Sequence, residues 1–99
     1  SCTCYEEKGI KDIGETESKY YMRLKVKDRP GVLASIAFAL GEKNVSIASV
    51  LQKHTVGDMA EIVLVTHLVR EKNLRGALKI IEQLTAVGEI SSIIRVEGD

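Results

Sequence analysis

The sequence predicts an α+β fold: a four-stranded antiparallel sheet with two helices on one face, in the order β-α-β-β-α-β. Three observations carry this. Four stretches alternate or run apolar over strand lengths, two stretches between them place apolar residues at helical spacing, and turn-forming residues separate the segments. Right-handed crossovers then put both helices on the same face, the ferredoxin-like split βαβ arrangement.

Residues 1–19 differ from the rest of the chain. They are polar, contain Gly9 and Gly14, and end in Glu15-Thr16-Glu17-Ser18, with Ile10 and Ile13 as the apolar anchors. They read as a linker or tail from an upstream part, and residues 20–98 as the domain. Tyr20 to Lys27 alternates, with Met22, Leu24 and Val26 on one side and Tyr21, Arg23, Lys25 and Lys27 on the other, which predicts a half-buried strand. Pro30, with fixed φ and no backbone donor, suits a first helical turn. Val32 to Glu42 comes next, with Val32, Leu33, Ile36, Ala37 and Leu40 in one stripe and Gly41 near the end.

Asn44 opens a second strand, Val45 to Lys53. Val45, Ile47 and Leu51 are expected on one face, and Ser46, Ala48, Val50 and Gln52 on the other. His54 to Asp58 reads as a hairpin loop. Ala60 to Leu68 is apolar on both faces, as a central strand would be. Leu74, Ala77, Leu78 and Ile81 mark the second helix, and Gly88 ends that segment. Ile90 to Glu97 gives the last strand, with Ile94 and Val96 inward and Arg95 and Glu97 outward. Val63, Val65, Val50 and Ala48 would then form an apolar patch on the sheet face away from the helices, which predicts at least a homodimer.

Composition narrows the function. The 99 residues fit one domain, with 44% hydrophobic and 28% charged residues. Fourteen basic residues balance fourteen acidic ones, which argues against a nucleic-acid module or an electrostatic membrane binder. No apolar run reaches the roughly 20 residues of a membrane span. The first residues lack a signal-peptide core, so the chain reads as cytoplasmic. Cys2 and Cys4 form a C-x-C pair without the further ligands a structural zinc site needs, and read as two reduced thiols. No metal site is assigned.

Chemistry concentrates at Asp28-Arg29-Pro30-Gly31-Val32-Leu33, where a strand runs into a helix. A helix N-terminus offers unpaired N–H groups and partial positive charge, and Gly31 lets another molecule approach the backbone. Such a place receives a carboxylate. A free amino acid also needs an acceptor for its ammonium, which Asp28 or a backbone carbonyl can supply. Asn44 offers donor and acceptor together, and Gln52 a bond to a side-chain hydroxyl. The fold is expected to bring Asp28, Gly31 and Leu33 near Asn44 and Val45, within one subunit or across a pair. Structural readings stand beside these: Asp28 as a helix cap, Gly31 as a turn residue, Asn44 in an unusual turn conformation, Gln52 as a solvated side chain and Arg29 as a surface charge. No residue is assigned to catalysis, since His54 and His67 lack Asp, Ser or Cys partners at a telling position.

The stretches Asp28-Arg29-Pro30-Gly31-Val32-Leu33, Asn44-Val45-Ser46-Ile47 and Ala60-Glu61-Ile62-Val63-Leu64-Val65-Thr66-His67 closely resemble the ACT domain family. Within it, Tyr20 to Gly98 is similar to the C-terminal ACT domains of homoserine dehydrogenases, and Cys2-Thr3-Cys4-Tyr5 and Asp12 to Ser18 look like the stretch joining such a tail to its catalytic part. Val50-Leu51-Gln52 resembles the matching stretch of aspartokinase ACT domains. The resemblance implies an amino-acid sensor that forms dimers, with its ligand between the first loop of one copy and the Asn of its neighbour. Carried over, it makes Asp28, Gly31, Val32, Leu33, Asn44, Val45 and Gln52 ligand contacts and L-threonine, as feedback inhibitor, the ligand. It implies NAD or NADP in a parent enzyme. No G-x-G-x-x-G occurs in this chain, so no such cofactor is expected here. Some ACT domains bind nothing and serve only assembly.

Three other functions of this architecture fit less well. Arg29 and Asn44 mimic the Arg and Asn of acylphosphatase-type enzymes, but Pro30 removes a donor from the phosphate cradle. A metal carrier would place C-x-x-C in the first loop. An RNA-binding domain would carry aromatics on both central strands, and the third strand has none.

Overall fold

The computed structural model describes residues 16–96. The elements are β1 (Glu17–Lys27), α1 (Val32–Glu42), β2 (Ile47–His54), β3 (Met59–Thr66), β4 (Val69–Arg70), α2 (Glu71–Ile81) and β5 (Val87–Val96). This is the expected α+β sandwich, with a two-residue β4 in addition. Cys2, Cys4 and most of the expected linker lie outside the described residues, as does Glu97. Among the described residues, no helix is long and apolar enough to cross a membrane.

β1 is the central strand. It pairs antiparallel with β3 on one side and β5 on the other, while β2 pairs β3 and forms the sheet edge. β4 takes up the pairing where β3 leaves it: Tyr21 faces Val65, then Ser18 faces Val69. β1 therefore starts three residues before the expected Tyr20. Across the break, the buried Thr66 hydroxyl accepts a hydrogen bond from the Tyr20 N–H at 3.0 Å. Without it a buried donor would have no partner.

The core lies between this sheet and the two helices. Met22, Leu24 and Val26 of β1 meet Ile62 and Leu64 of β3, Ile36 and Leu40 of α1, and Leu74 and Ile81 of α2, all within 2% of full burial. In α1 the buried alanine is Ala39 rather than the expected Ala37, which is half-buried. α1 is apolar nearly all round, so its pattern fixes the inward face poorly, and Phe38 is left 69% exposed. α2 is clearly amphipathic, with Glu71 in its first turn and Lys79 in its last, each complementing the helix dipole.

Two ladders depart from simple alternation. Between Ile47 and Ser49 the β2 register slips, so Val50 faces Leu64 and Gln52 faces Ile62 on the helix side. Leu51 faces Val63 on the open side instead. The expected facing of Val50, Gln52 and Leu51 is thus reversed, because one extra residue in a strand flips everything beyond it. In β5 the register shifts twice, opposite the Arg23/Leu24 and Lys25/Val26 steps of β1. Ile90 and Ile93 oppose the core residues Leu24 and Met22, and Ile94 opposes Tyr21 on the open side. Ile94 and Val96, expected inward, are 54% and 40% exposed.

Candidate functional site

The end of β1 leads into the turn Arg29-Pro30-Gly31-Val32. The Val32 N–H donates to the Arg29 carbonyl at 3.3 Å, and Gly31 has φ 87° and ψ −11°. That is a type II turn with Pro at its second position and Gly at its third. Pro30 therefore stands in the turn before the helix, not in its first turn as expected. Gly31 is the N-cap; it has no side chain to cap with, and α1 has no acidic residue in its first turn. The Gly31 carbonyl accepts from both the Ser35 N–H and its hydroxyl, each at 3.0 Å. Leu33 and Ala34 are left as first-turn donors with no side-chain cap.

A recess of about 340 Å3 opens beside this helix end, within the range of small-molecule sites. Its floor is Val26 and Ile62, both buried; its rim is Asp28, Gly31, Leu33 and Gln52. The Gln52 side-chain amide donates to the Asp28 carboxylate at 3.5 Å. The position of Asp28 is fixed by its own N–H, which donates to the Asp58 carbonyl of the β2–β3 turn at 2.7 Å. Asp28 does not cap α1, because no side-chain cap is made. A second recess of about 410 Å3 lies beside the same turn, bounded by Arg29, Pro30, Ser35 and the segment Leu84 to Val87.

Of the expected contacts, Asp28, Gly31, Val32, Leu33 and Gln52 come together around the first recess. Val32 contributes little from its side chain, which is 8% exposed, and its N–H serves the turn. Asn44 and Val45 do not join them within one chain. They lie past the far end of α1, about 16 Å away by helix rise, because β2 runs in the direction of β1 and brings its end, not its start, to the loop. Asn44 has φ 60°, and its N–H and that of Val45 close the helix on the Gly41 and Leu40 carbonyls. This is a Schellman C-cap, the turn role weighed for Asn44. The Val45 side chain is 4% exposed and belongs to the core.

Sequence reasoning overlooked Val26 and Ile62 as the floor, although Val26 was expected beside Met22 and Leu24 on one face of the strand that leads into the loop. It also overlooked the second recess, whose far wall comes from the α2–β5 connection; no local pattern announces that approach. Among the described residues, no cluster of His, Asp or Glu could hold a metal ion.

Comparisons with known proteins bear on the family and the fold. The family model described as ACT domain matches residues 20–86. The chain is 40% identical over 90 residues to a homoserine dehydrogenase of Methylobacillus glycogenes, covering 89% of this chain and 22% of that protein. It is 41% identical over 96 residues to that of Synechocystis, covering 97% of this chain and 22% of that one. Among solved structures, a homoserine dehydrogenase from Thiobacillus denitrificans superimposes with a TM-score of 0.80 at 37% identity, covering 90% of this chain and 20% of that one. The chain thus spans about a fifth of the length of the relatives it matches.

Proposed function

The chain belongs to the ACT domain family, and on that premise we propose that it is the amino-acid-sensing regulatory part of a homoserine dehydrogenase, with L-threonine as its ligand and feedback inhibitor. One observation carries the reading: the glycine-led, uncapped N-terminus of α1 opens on a recess whose other rim holds an acid and an amide. The Leu33 and Ala34 N–H groups take the carboxylate. Asp28 takes the ammonium. Gln52, turned to this side by the slip in β2, takes the side-chain hydroxyl.

A second copy completes the site. β2 is the sheet edge, with Val50 44% exposed on its helix side, and Phe38 protrudes from α1. Antiparallel pairing of two such edges about a two-fold axis sets the start of one β2 beside the end of the other. Asn44 and the Val45 backbone of the neighbour then reach the loop they miss within one chain. These exposed apolar residues also favour a second reading, in which the domain serves assembly alone.

The residues present do not fit a nicotinamide cofactor, since Gly31 stands alone where a dinucleotide turn needs three glycines. Oxidation of homoserine with NAD or NADP belongs to the part of the parent outside this chain, in the cytoplasm. A thermal-shift screen of the twenty amino acids tests the reading. At a hundredfold excess over Kd a specific ligand stabilises by about 2.7 kcal/mol. A shift with threonine supports sensing, and a flat response to every amino acid leaves the assembly reading.

A further inference from the structure

We propose that the sheet face turned away from the helices is the docking surface for the part of the parent polypeptide that precedes this chain. The inference rests on the reading that the chain is one piece of a larger dehydrogenase. It does not require that an amino acid binds.

The face has two halves. Register and exposure put Val63, Val65, Leu51, Ile94 and Val96 on it, with Leu51 57%, Ile94 54% and Val96 40% exposed. The slips in β2 and β5 bring Leu51, Ile94 and Val96 to the side that Val63 and Val65 already occupy, so they form a broad patch and not isolated exposed side chains. Towards the other end of β1 the same face becomes charged. Arg23 and Lys53 both reach the Glu61 carboxylate, at 3.3 and 3.7 Å, and Lys25 and Lys27 stand on the same face of β1.

Two arguments choose the occupant. The first is where the chain comes from. Its relatives carry about four-fifths of their length outside the matched region. Thr16 leads into β1, and three residues later Lys19 lies directly opposite Val96. A tethered upstream part is therefore delivered to the apolar half of the face at high effective concentration. The second is charge. Lys19, Arg23, Lys25, Lys27, Lys53 and Arg70 outnumber Glu17, Glu61 and Glu89 on this face, so two copies stacked face to face would bring two basic surfaces together. An apolar surface bordered by carboxylates fits instead.

The placement also gives a route for regulation. Val26 and Ile62, the floor of the recess, alternate along β1 and β3 with Lys25, Lys27, Glu61 and Val63 on the docking face. A ligand that moves those strands moves both surfaces.

The test uses the full-length enzyme. Ile94→Cys is compared with Val56→Cys, a position 85% exposed at the β2–β3 turn, by thiol alkylation with each labelled peptide resolved by mass spectrometry. Docking predicts alkylation at position 94 slower by roughly tenfold or more, since a thiol reacts only where reagent reaches it. Zero-length carbodiimide coupling of the wild-type enzyme then reads the occupant. Lys25, Lys27 or Lys53 joined to an Asp or Glu upstream of Ser1 supports the proposal. Equal alkylation rates, or coupling confined to carboxylates of this chain or a second copy of it, overturns it. Loss of the threonine response in the amino-acid screen changes neither readout, so failure of sensing and failure of docking are separable.

Discussion

Replacing Gly31 by alanine separates the backbone role of this residue from its role as a doorway. Its φ of 87° is a conformation an L side chain adopts at a cost of about 1–2 kcal/mol. A Cβ built there meets nothing within 4 Å, so no steric cost is added. The alanine also restricts the unfolded chain, which returns about 0.4–1 kcal/mol. The net expectation is a loss of about 1 kcal/mol, or a drop in Tm of about 4–8 °C for a domain of this size. In the proposed site, the open space around that Cβ is where a ligand carboxylate passes to reach Leu33 and Ala34. The ligand-induced shift is therefore expected to disappear, although the fold survives. Urea denaturation of wild type and Gly31→Ala, each with and without threonine, measures both effects. Gly31→Asn serves as control, because asparagine tolerates the left-handed conformation: it should recover stability but not binding. A Gly31→Ala protein that keeps the full threonine shift would refute the placement of the site. A loss above about 3 kcal/mol would refute the strain argument, since that size signals a packing or polar defect that the open space excludes.

Thr66→Val keeps the shape of a fully buried side chain but leaves the Tyr20 N–H without its acceptor, and should cost about 1–3 kcal/mol in chemical denaturation. Burial, and then the nearby Glu71 carboxylate, raise the Tyr20 phenol above its ordinary value of 10.0. The folded state therefore holds that proton more tightly than the unfolded chain does. Its contribution is complete below pH 10 and is lost as pH rises through the folded value, so stability should fall on alkaline titration, and Tyr20→Phe should remove that part of the fall. Asn44→Gly should leave stability nearly unchanged, because glycine also suits the C-cap, whereas Asn44→Ala should cost about 1 kcal/mol. If the neighbour's Asn44 contacts the ligand, Asn44→Gly weakens the threonine shift at unchanged stability; an undiminished shift limits Asn44 to its cap.

The order of elements and the core positions of β1, β3 and α2 were legible in the sequence. Each rests on local information: alternation in Met22, Leu24 and Val26, and helical spacing in Leu74, Ala77 and Ile81. Such signals need only neighbours along the chain. The facing of Gln52 and Leu51 needed the tertiary structure, because a one-residue slip near Ala48 is fixed by how β2 pairs with β3. The same holds for Ile94 and Val96, which the β5 slips turn from the core to the open face. Asn44 was legible as a turn residue. Its distance from the loop came only from the direction in which β2 returns across the sheet. Sequence alone set which segments form strands and helices; the ladders between strands decided which residues share a side, since hydrogen-bond register is a relation between segments and is written in neither one.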